Sequence, residues 1–314
     1  MSSLFDVILP VFLVIGFGYL VAWRGLFSAE GVDGLQRYAQ NFGVPVLLFK
    51  SMAELDLSAE FNIWLLLSFY AGAVTSFLIG WLVARRVIGR SPEDAVAIGF
   101  ACLFSNSLLL GIPIMERAYG SASLSGNFAI IALHSPMLYT LGITVMEFTR
   151  AHGSGISPGL VAMRALKGVL RTPLVIGILC GLVMNVLTQA GLVMPDGFWG
   201  AVDMIARSAL PAALFGLGGV LLRYKPQGDM ASIALICACS LILHPSLTFG
   251  LGHLFGLDAA GMRSAVVTAA MAPGVNAYLF ANLYQSAIRS AASAVLIATA
   301  LSILTIWMWL ALLP

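Results

Sequence analysis

Phe104-Ser-Asn-Ser-Leu-Leu-Leu-Gly-Ile-Pro-Ile-Met-Glu116 decides how this chain is read. The stretch lies in an apolar segment long enough to span a bilayer, yet it carries Asn106, Gly111 and Pro113 where a plain anchor would carry leucine. Proline removes a backbone donor and clashes with the preceding turn. In lipid the freed polar groups need partners, so such a break survives only when buried in protein or lining a wet cavity. A second interrupted stretch, Ala269-Ala-Met-Ala-Pro-Gly-Val-Asn-Ala-Tyr-Leu-Phe280, carries Pro273, Gly274 and Asn276 about half a chain away. Paired Gly/Pro-interrupted segments at corresponding places in two halves are the sequence mark of a transporter binding site.

The composition agrees. The chain has 314 residues, 60% of them hydrophobic and only 10% charged, with a mean hydropathy of +0.97. A soluble domain carries about 25% charge, so this is an integral membrane protein. Its formal net charge of +2 says nothing for nucleic acid, because the basic residues are scattered through loops and form no patch, and no nucleic-acid partner is expected. No basic leader region precedes the first apolar run, which is expected to be a retained helix. Cys102, Cys180, Cys237 and Cys239 fall inside apolar segments and read as small buried hydrophobes.

With a helical rise of about 1.5 Å and an apolar core of about 30 Å, ten spans are expected, near 5–23, 36–53, 61–84, 94–115, 126–148, 172–190, 199–222, 230–251, 262–283 and 290–313. Residues 149–171, rich in glycine and serine at their start, are the expected linker between halves 1–148 and 172–314. Arg24, Arg37, Arg85, Arg86, Arg90, Arg150, Arg164, Lys167, Arg171, Arg223, Lys225 and Arg289 fall on one side of this arrangement, and only Lys50, Arg117, Arg207 and Arg263 on the other. The bias puts the linker in the cytoplasm and both termini outside.

The halves resemble each other. Pro45-Val-Leu-Leu-Phe49 matches Pro211-Ala-Ala-Leu-Phe215 at an offset of 166, and Pro113 pairs with Pro273 at an offset of 160. Five spans per half is an odd number, so the second copy must be inverted relative to the first. The expected fold is an all-α membrane protein of ten transmembrane helices in two inverted five-helix repeats with crossing broken helices.

The candidate site follows from the breaks. Ser105, Asn106, Ser107 and Asn276 offer uncharged donors and acceptors. Gly111, Pro113, Pro273 and Gly274 open the backbone, and half-helix N-termini there would favour an anion. The competing reading is that the asparagines merely satisfy backbone groups freed by the prolines. Lys50 could attract an anion or pair with Glu54; His134 and His244 could relay a proton or serve as bonded structural histidines. The glycines of the spans read as points of close helix contact. No Asp or Glu stands clearly mid-span, which argues against carboxylate-based proton coupling. H-E-x-x-H, Walker A and G-x-S-x-G are absent, so neither an enzyme nor an ATP-driven pump is expected, and no cofactor or metal.

Ser105-Asn-Ser-Leu-Leu-Leu-Gly-Ile-Pro-Ile114 and Ala272-Pro-Gly-Val-Asn-Ala-Tyr-Leu-Phe280, with Pro45-Val-Leu-Leu-Phe49 and Thr172-Pro-Leu-Val-Ile176, resemble segments of the auxin efflux carrier family, which includes plant PIN proteins and bacterial permeases assigned to malonate or malate. The similarity covers essentially the whole chain. It implies a fold related to bile-acid symporters and Na⁺/H⁺ antiporters. Spans 1, 2, 6 and 7 would form a scaffold that often dimerises, and spans 3–5 and 8–10 a mobile transport domain crossing at prolines matching Pro113 and Pro273. Asn106 and Asn276 would be ligands for a small organic anion, a carboxylate such as malonate or malate or an auxin-like acid. The long hydrophilic insertion of plant PIN proteins is absent, which suits a compact carrier of an inner cell membrane. The expectation is elevator-type alternating access by a secondary carrier. The alternatives are a Na⁺- or H⁺-coupled symporter of another solute and a membrane sensor that binds without transporting.

Overall fold

The computed structural model describes residues 2–54, 62–150 and 173–314. Their architecture is all helical: α1 (Ser2–Trp23), α2 (Ala29–Tyr38), α3 (Val44–Ala53), α4 (Ile63–Arg86), α5 (Pro92–Leu103), α6 (Ile112–Tyr119), α7 (Ser125–Arg150), α8 (Pro173–Gln189), α9 (Asp196–Leu221), α10 (Met230–Ala238), α11 (His244–Leu254), α12 (Ala259–Ala269), α13 (Val275–Leu283) and α14 (Ile288–Leu312). Among the described residues no β-strand occurs. Among the described residues six helical stretches are long and apolar enough to cross a membrane: Asp6–Trp23, Ile63–Arg86, Ser125–Arg150, Asp196–Leu221, Met230–Leu254, which includes a π-helical turn, and Ile288–Leu312. The protein is therefore a multi-pass membrane protein. Of the other expected spans, 172–190 is the 17-residue α8, and those near 36–53, 94–115 and 262–283 are assembled from shorter helices. The linker expected at 149–171 lies outside the described residues apart from its first two positions, which end α7.

Helix starts follow local chemistry. The side chains of Ser28, Asn62, Ser91, Asp229 and Asp258 each accept a backbone N–H of the first turn they cap. The hydroxyl and amide of Ser232 hold the Asp229 carboxyl below the usual carboxylate range. The Ser28 cap starts helix at Ala29, seven residues before the expected second span.

Prolines explain the interruptions. Five-residue π-helical turns, Ala39–Gly43, Ser107–Gly111 and Cys239–Leu243, each end two residues before a proline: Pro45, Pro113 and Pro245. A proline cannot donate, and its ring collides with the carbonyl one turn back. Widening that turn relieves both problems without ending the helix.

The described chain divides into two compact units, and each draws on both halves of the sequence. One comprises described residues within 1–8, 62–166 and 224–314; the other comprises those within 9–61 and 167–223. In the first, Phe69, Phe77, Phe100, Leu103, Ile130, Leu138 and Phe280 form a fully buried core. Gly142 of α7 makes room for the stacked rings of Phe100 and Phe280, whose centroids are 3.9 Å apart, because a Cβ there would lie 2.4 Å from Phe100 Cδ2. Gly142→Ala is expected to destabilise the protein by about 1–3 kcal/mol, read as a lower unfolding temperature in detergent. An unchanged temperature would mean that the stack yields freely.

In the second unit, α1 meets α9 and α3 meets α8 at glycines. Cβ atoms at Gly18 and Gly177 would lie 2.0 Å from the Phe215 carbonyl oxygen and 2.4 Å from that of Pro45. Asn185 of α8 donates to the carbonyls of Met52 and Ala53, and Gln36 of α2 to that of Ala213.

Candidate functional site

The first unit holds a crossing of two unwound segments. After α5 the chain leaves helical geometry at Phe104, and after α12 it does so at Met271–Gly274. The two segments pair side by side. Asn106 N–H donates to Ala272 O at 2.8 Å, Gly274 N–H donates to Phe104 O at 3.1 Å, and Ser105 lies antiparallel to Pro273. The breaks thus satisfy each other's main chain, as buried backbone must. From the crossing the chain restarts on each side, with Asn106 as N-cap of the turn leading to α6 and Gly274 as N-cap of α13. Both restarting helices direct unbonded N–H groups and positive dipole ends at this point.

The position of the crossing corrects one expectation. The first break is not at Pro113, which sits eight residues beyond Ser105 in the first turn of α6. The π-helical turn absorbs Pro113, so a helix runs through it. The residue facing Pro273 is Ser105, at an offset of 168, and α5 and α12 start 167 apart. Pro113 and Pro273, expected to pair at an offset of 160, are not the residues that face each other at the crossing.

Side chains complete the arrangement. Asn106 is only 8% exposed, yet its amide makes no hydrogen bond among the described residues. It does not serve the backbone freed by a proline, which was the structural alternative. Gly274 packs beside Asn106, where a Cβ on it would lie 3.6 Å from the Asn106 Cβ, in ordinary contact. Asn276, half-buried in the first turn of α13, accepts a 3.3 Å bond from the Tyr139 hydroxyl. Ser105 and Ser107 join hydroxyls at 2.8 Å. His134 contacts the Ser105 carbonyl at 3.2 Å; a carbonyl only accepts, so Nε2 carries the proton. Gly111 lies against Met271, whose Cγ would be 3.5 Å from its Cβ.

The structure therefore brings Ser105, Asn106, Ser107, Pro273, Gly274, Asn276 and His134 together. His244 is set apart: its Nε2 bonds the Phe69 carbonyl at 3.3 Å, and the Phe69 ring packs against both histidines. Both histidines leave Nδ1 buried and unpartnered. Lys50 belongs to the second unit, where it pairs with Asp203 at 2.5 Å and more distantly with Glu54 at 3.8 Å. Asp203 is a carboxylate within an apolar helix that the sequence reading did not single out. Tyr139 was also missed, along with Phe100, Phe104 and Phe280, whose rings pack around it. An apolar aromatic in a span carries no local mark of function, and Tyr139 meets Asn276 across 137 residues of sequence.

A crossing of this kind can hold a small polar or anionic group by main-chain N–H groups and neutral amides, with aromatic faces beside it. Among the described residues no cluster of His, Cys, Asp and Glu could hold a metal ion.

Comparisons with known proteins agree with a transport role. The family model described as membrane transport protein matches residues 3–310. A Rhizobium meliloti protein named "Putative malonate transporter" is 24% identical over 98% of this chain and 94% of its own length. The mouse "Lysosomal cholesterol signaling protein" is 27% identical over 77% of this chain and 29% of its own length. "Auxin efflux carrier component 2" of Arabidopsis thaliana is 27% identical over 46% of this chain and 22% of its own length.

Proposed function

From the premise that the chain belongs to the membrane transport protein family that includes the auxin efflux carriers, and is a membrane transporter rather than an enzyme, we propose that it is a secondary carrier of a small organic anion. Malonate, malate or an auxin-like acid is the substrate class this reading favours. The observation that carries it is the crossing in the first unit, with the unpartnered Asn106 amide between two restarting helices. Helix N-termini stabilise negative charge, and an amide binds a carboxylate without a countercharge to desolvate. Asn106 and Asn276 are the proposed ligands. Ser105 and Ser107 are their polar neighbours, and Gly111, Pro113, Pro273 and Gly274 shape the backbone around them.

We read the ten helical passages as two inverted five-helix repeats. The unit containing the crossing is the moving part of an elevator and the other unit the scaffold, which is also the part expected to self-associate into a homodimer. Few chain connections join the two units, and relative motion is the default for such an arrangement. The excess of Lys and Arg in alternate loops supports a cytoplasmic linker and both termini outside an inner membrane. His134 bonds the crossing directly and is the better placed histidine for proton coupling. Lys50, paired with Asp203, is bound in an ion pair and is not a free anion ligand.

Uptake of labelled malonate, malate, short monocarboxylates and an indole acid into proteoliposomes, with and without a pH gradient, tests this reading. Saturable uptake of one class is the expected outcome, and acceleration by the gradient would assign proton coupling. Folded protein that moves none of them, but moves cations or neutral solutes, would overturn the substrate class. The name of the mouse relative points to a second reading, a sensor that binds without transport. Saturable binding without flux would select it.

A further inference from the structure

The connection from α13 to α14, residues 284–287, is strained. Gln285 and Ala287 adopt φ of 53° and 49°, and they are the non-glycine residues with positive φ among those described. The matching connection, from α6 to α7, turns on Gly120 at φ 84°, where no side chain resists. A side chain in the left-handed region persists only where its surroundings over-determine it.

The surroundings here are specific. Asp94, in the first turn of α5, accepts the Ala287 N–H at 2.6 Å. Arg150, the last residue of α7, donates to the Tyr284 carbonyl and lays its guanidinium 4.8 Å from the centre of the Tyr284 ring. Within the turn, Ser286 Oγ donates to the same Tyr284 carbonyl at 3.0 Å, and Gln285 Nε2 donates to Asn282 O at 2.7 Å. Residues from α5 and α7 thus grip one four-residue turn.

That turn is the far end of α13. The helix has nine residues, so it is about 14 Å long. Its near end is the crossing, with Asn276 in the first turn. A rod this short transmits a tilt at one end to the other. We propose that Asp94 and Arg150 are positioning residues of the site: by holding the strained turn they set the direction of α13, and so the place of Asn276. The inference rests on the reading of Asn276 as a ligand. An ordinary cap would affect stability alone, whereas a positioning residue changes substrate affinity in the folded carrier.

The test compares Asp94→Ala, and Asp94→Ala combined with Ala287→Gly, with the unaltered chain, by amide hydrogen exchange in detergent and by uptake kinetics. In Asp94→Ala, exchange across 275–287 is expected to rise about fivefold or more while the interior of α14 stays protected. KM should rise about tenfold with the maximal rate per folded carrier changed less than twofold, because misplacing one ligand weakens binding. Glycine adopts φ near 49° without a clamp, so the double variant should return both quantities to within about threefold of the unaltered chain. Exchange that is unchanged or rises evenly along the chain overturns the proposal. So does a KM that holds while stability falls, or a double variant that is not rescued. If the unaltered protein transports no carboxylate, the carrier reading fails by itself, and localised exchange with its rescue by glycine still decides the clamp.

Discussion

Asn106→Ala is expected to abolish saturable uptake, lowering its efficiency by about 100-fold or more, equivalent to about 2.7 kcal/mol of binding and transition-state stabilisation. The change should leave the fold intact. The main-chain bonds that hold the crossing, Asn106 N–H to Ala272 O and Gly274 N–H to Phe104 O, do not involve the amide, and alanine keeps them. The amide has no partner among the described residues, so its removal strands no buried group. The unfolding temperature should move by only a few degrees.

Asn276→Ala should also cut uptake, with a larger stability loss because the Tyr139 hydroxyl loses its acceptor. Asn106→Asp gives the sign of the cargo. A carboxylate at the crossing repels an anion, so uptake should fall at least as far as with alanine, whereas a cation would be better held. If folded Asn106→Ala and Asn276→Ala both transport at unaltered rates, the crossing is not the binding site.

The second large effect is structural and lies in the other unit. Gly218→Val is expected to cost about 3 kcal/mol or more, enough to remove most of the folded protein. A Cβ at Gly218 would sit 2.0 Å from the Ile15 carbonyl oxygen and 2.6 Å from the Tyr19 nitrogen, and one at Gly18 would sit 2.0 Å from the Phe215 carbonyl oxygen. The obstacles are backbone atoms of α1 and α9, which no rotamer change can move. In lipid, helices associate by close packing of small residues rather than by escape from water, so separating these two backbones removes the contact itself. Gly16→Ala is the control, since nothing lies within 4 Å of its Cβ position, and it should be neutral. The readouts are the monodisperse fraction in detergent and the unfolding temperature. A Gly218→Val protein that melts like the unaltered chain would show that α1 and α9 are free to part.

These two regions were legible to different degrees. The apolar runs, the two interrupted segments, the presence of asparagine in each and the use of glycine at helix contacts could all be read from residues near one another. Gly18, Gly72, Gly80, Gly177, Gly181, Gly216, Gly218 and Gly219 meet close neighbours as expected, while Gly16 does not. Glycine marks where contact is allowed, and which face meets a neighbour depends on the neighbour.

Hydropathy, helix-breaking residues and capping side chains act within a few residues of themselves, so the sequence alone determined the membrane class, most helix limits and the two interrupted segments. The tertiary structure decided the rest, because each remaining feature is a contact between residues far apart in the chain. Ser105, not Pro113, faces Pro273 across the crossing. Tyr139 meets Asn276, Lys50 is neutralised by Asp203, and Asp94 grips Ala287 across 193 residues. Such pairings arise from how apolar faces pack once the helices exist, and no local property of either partner announces them.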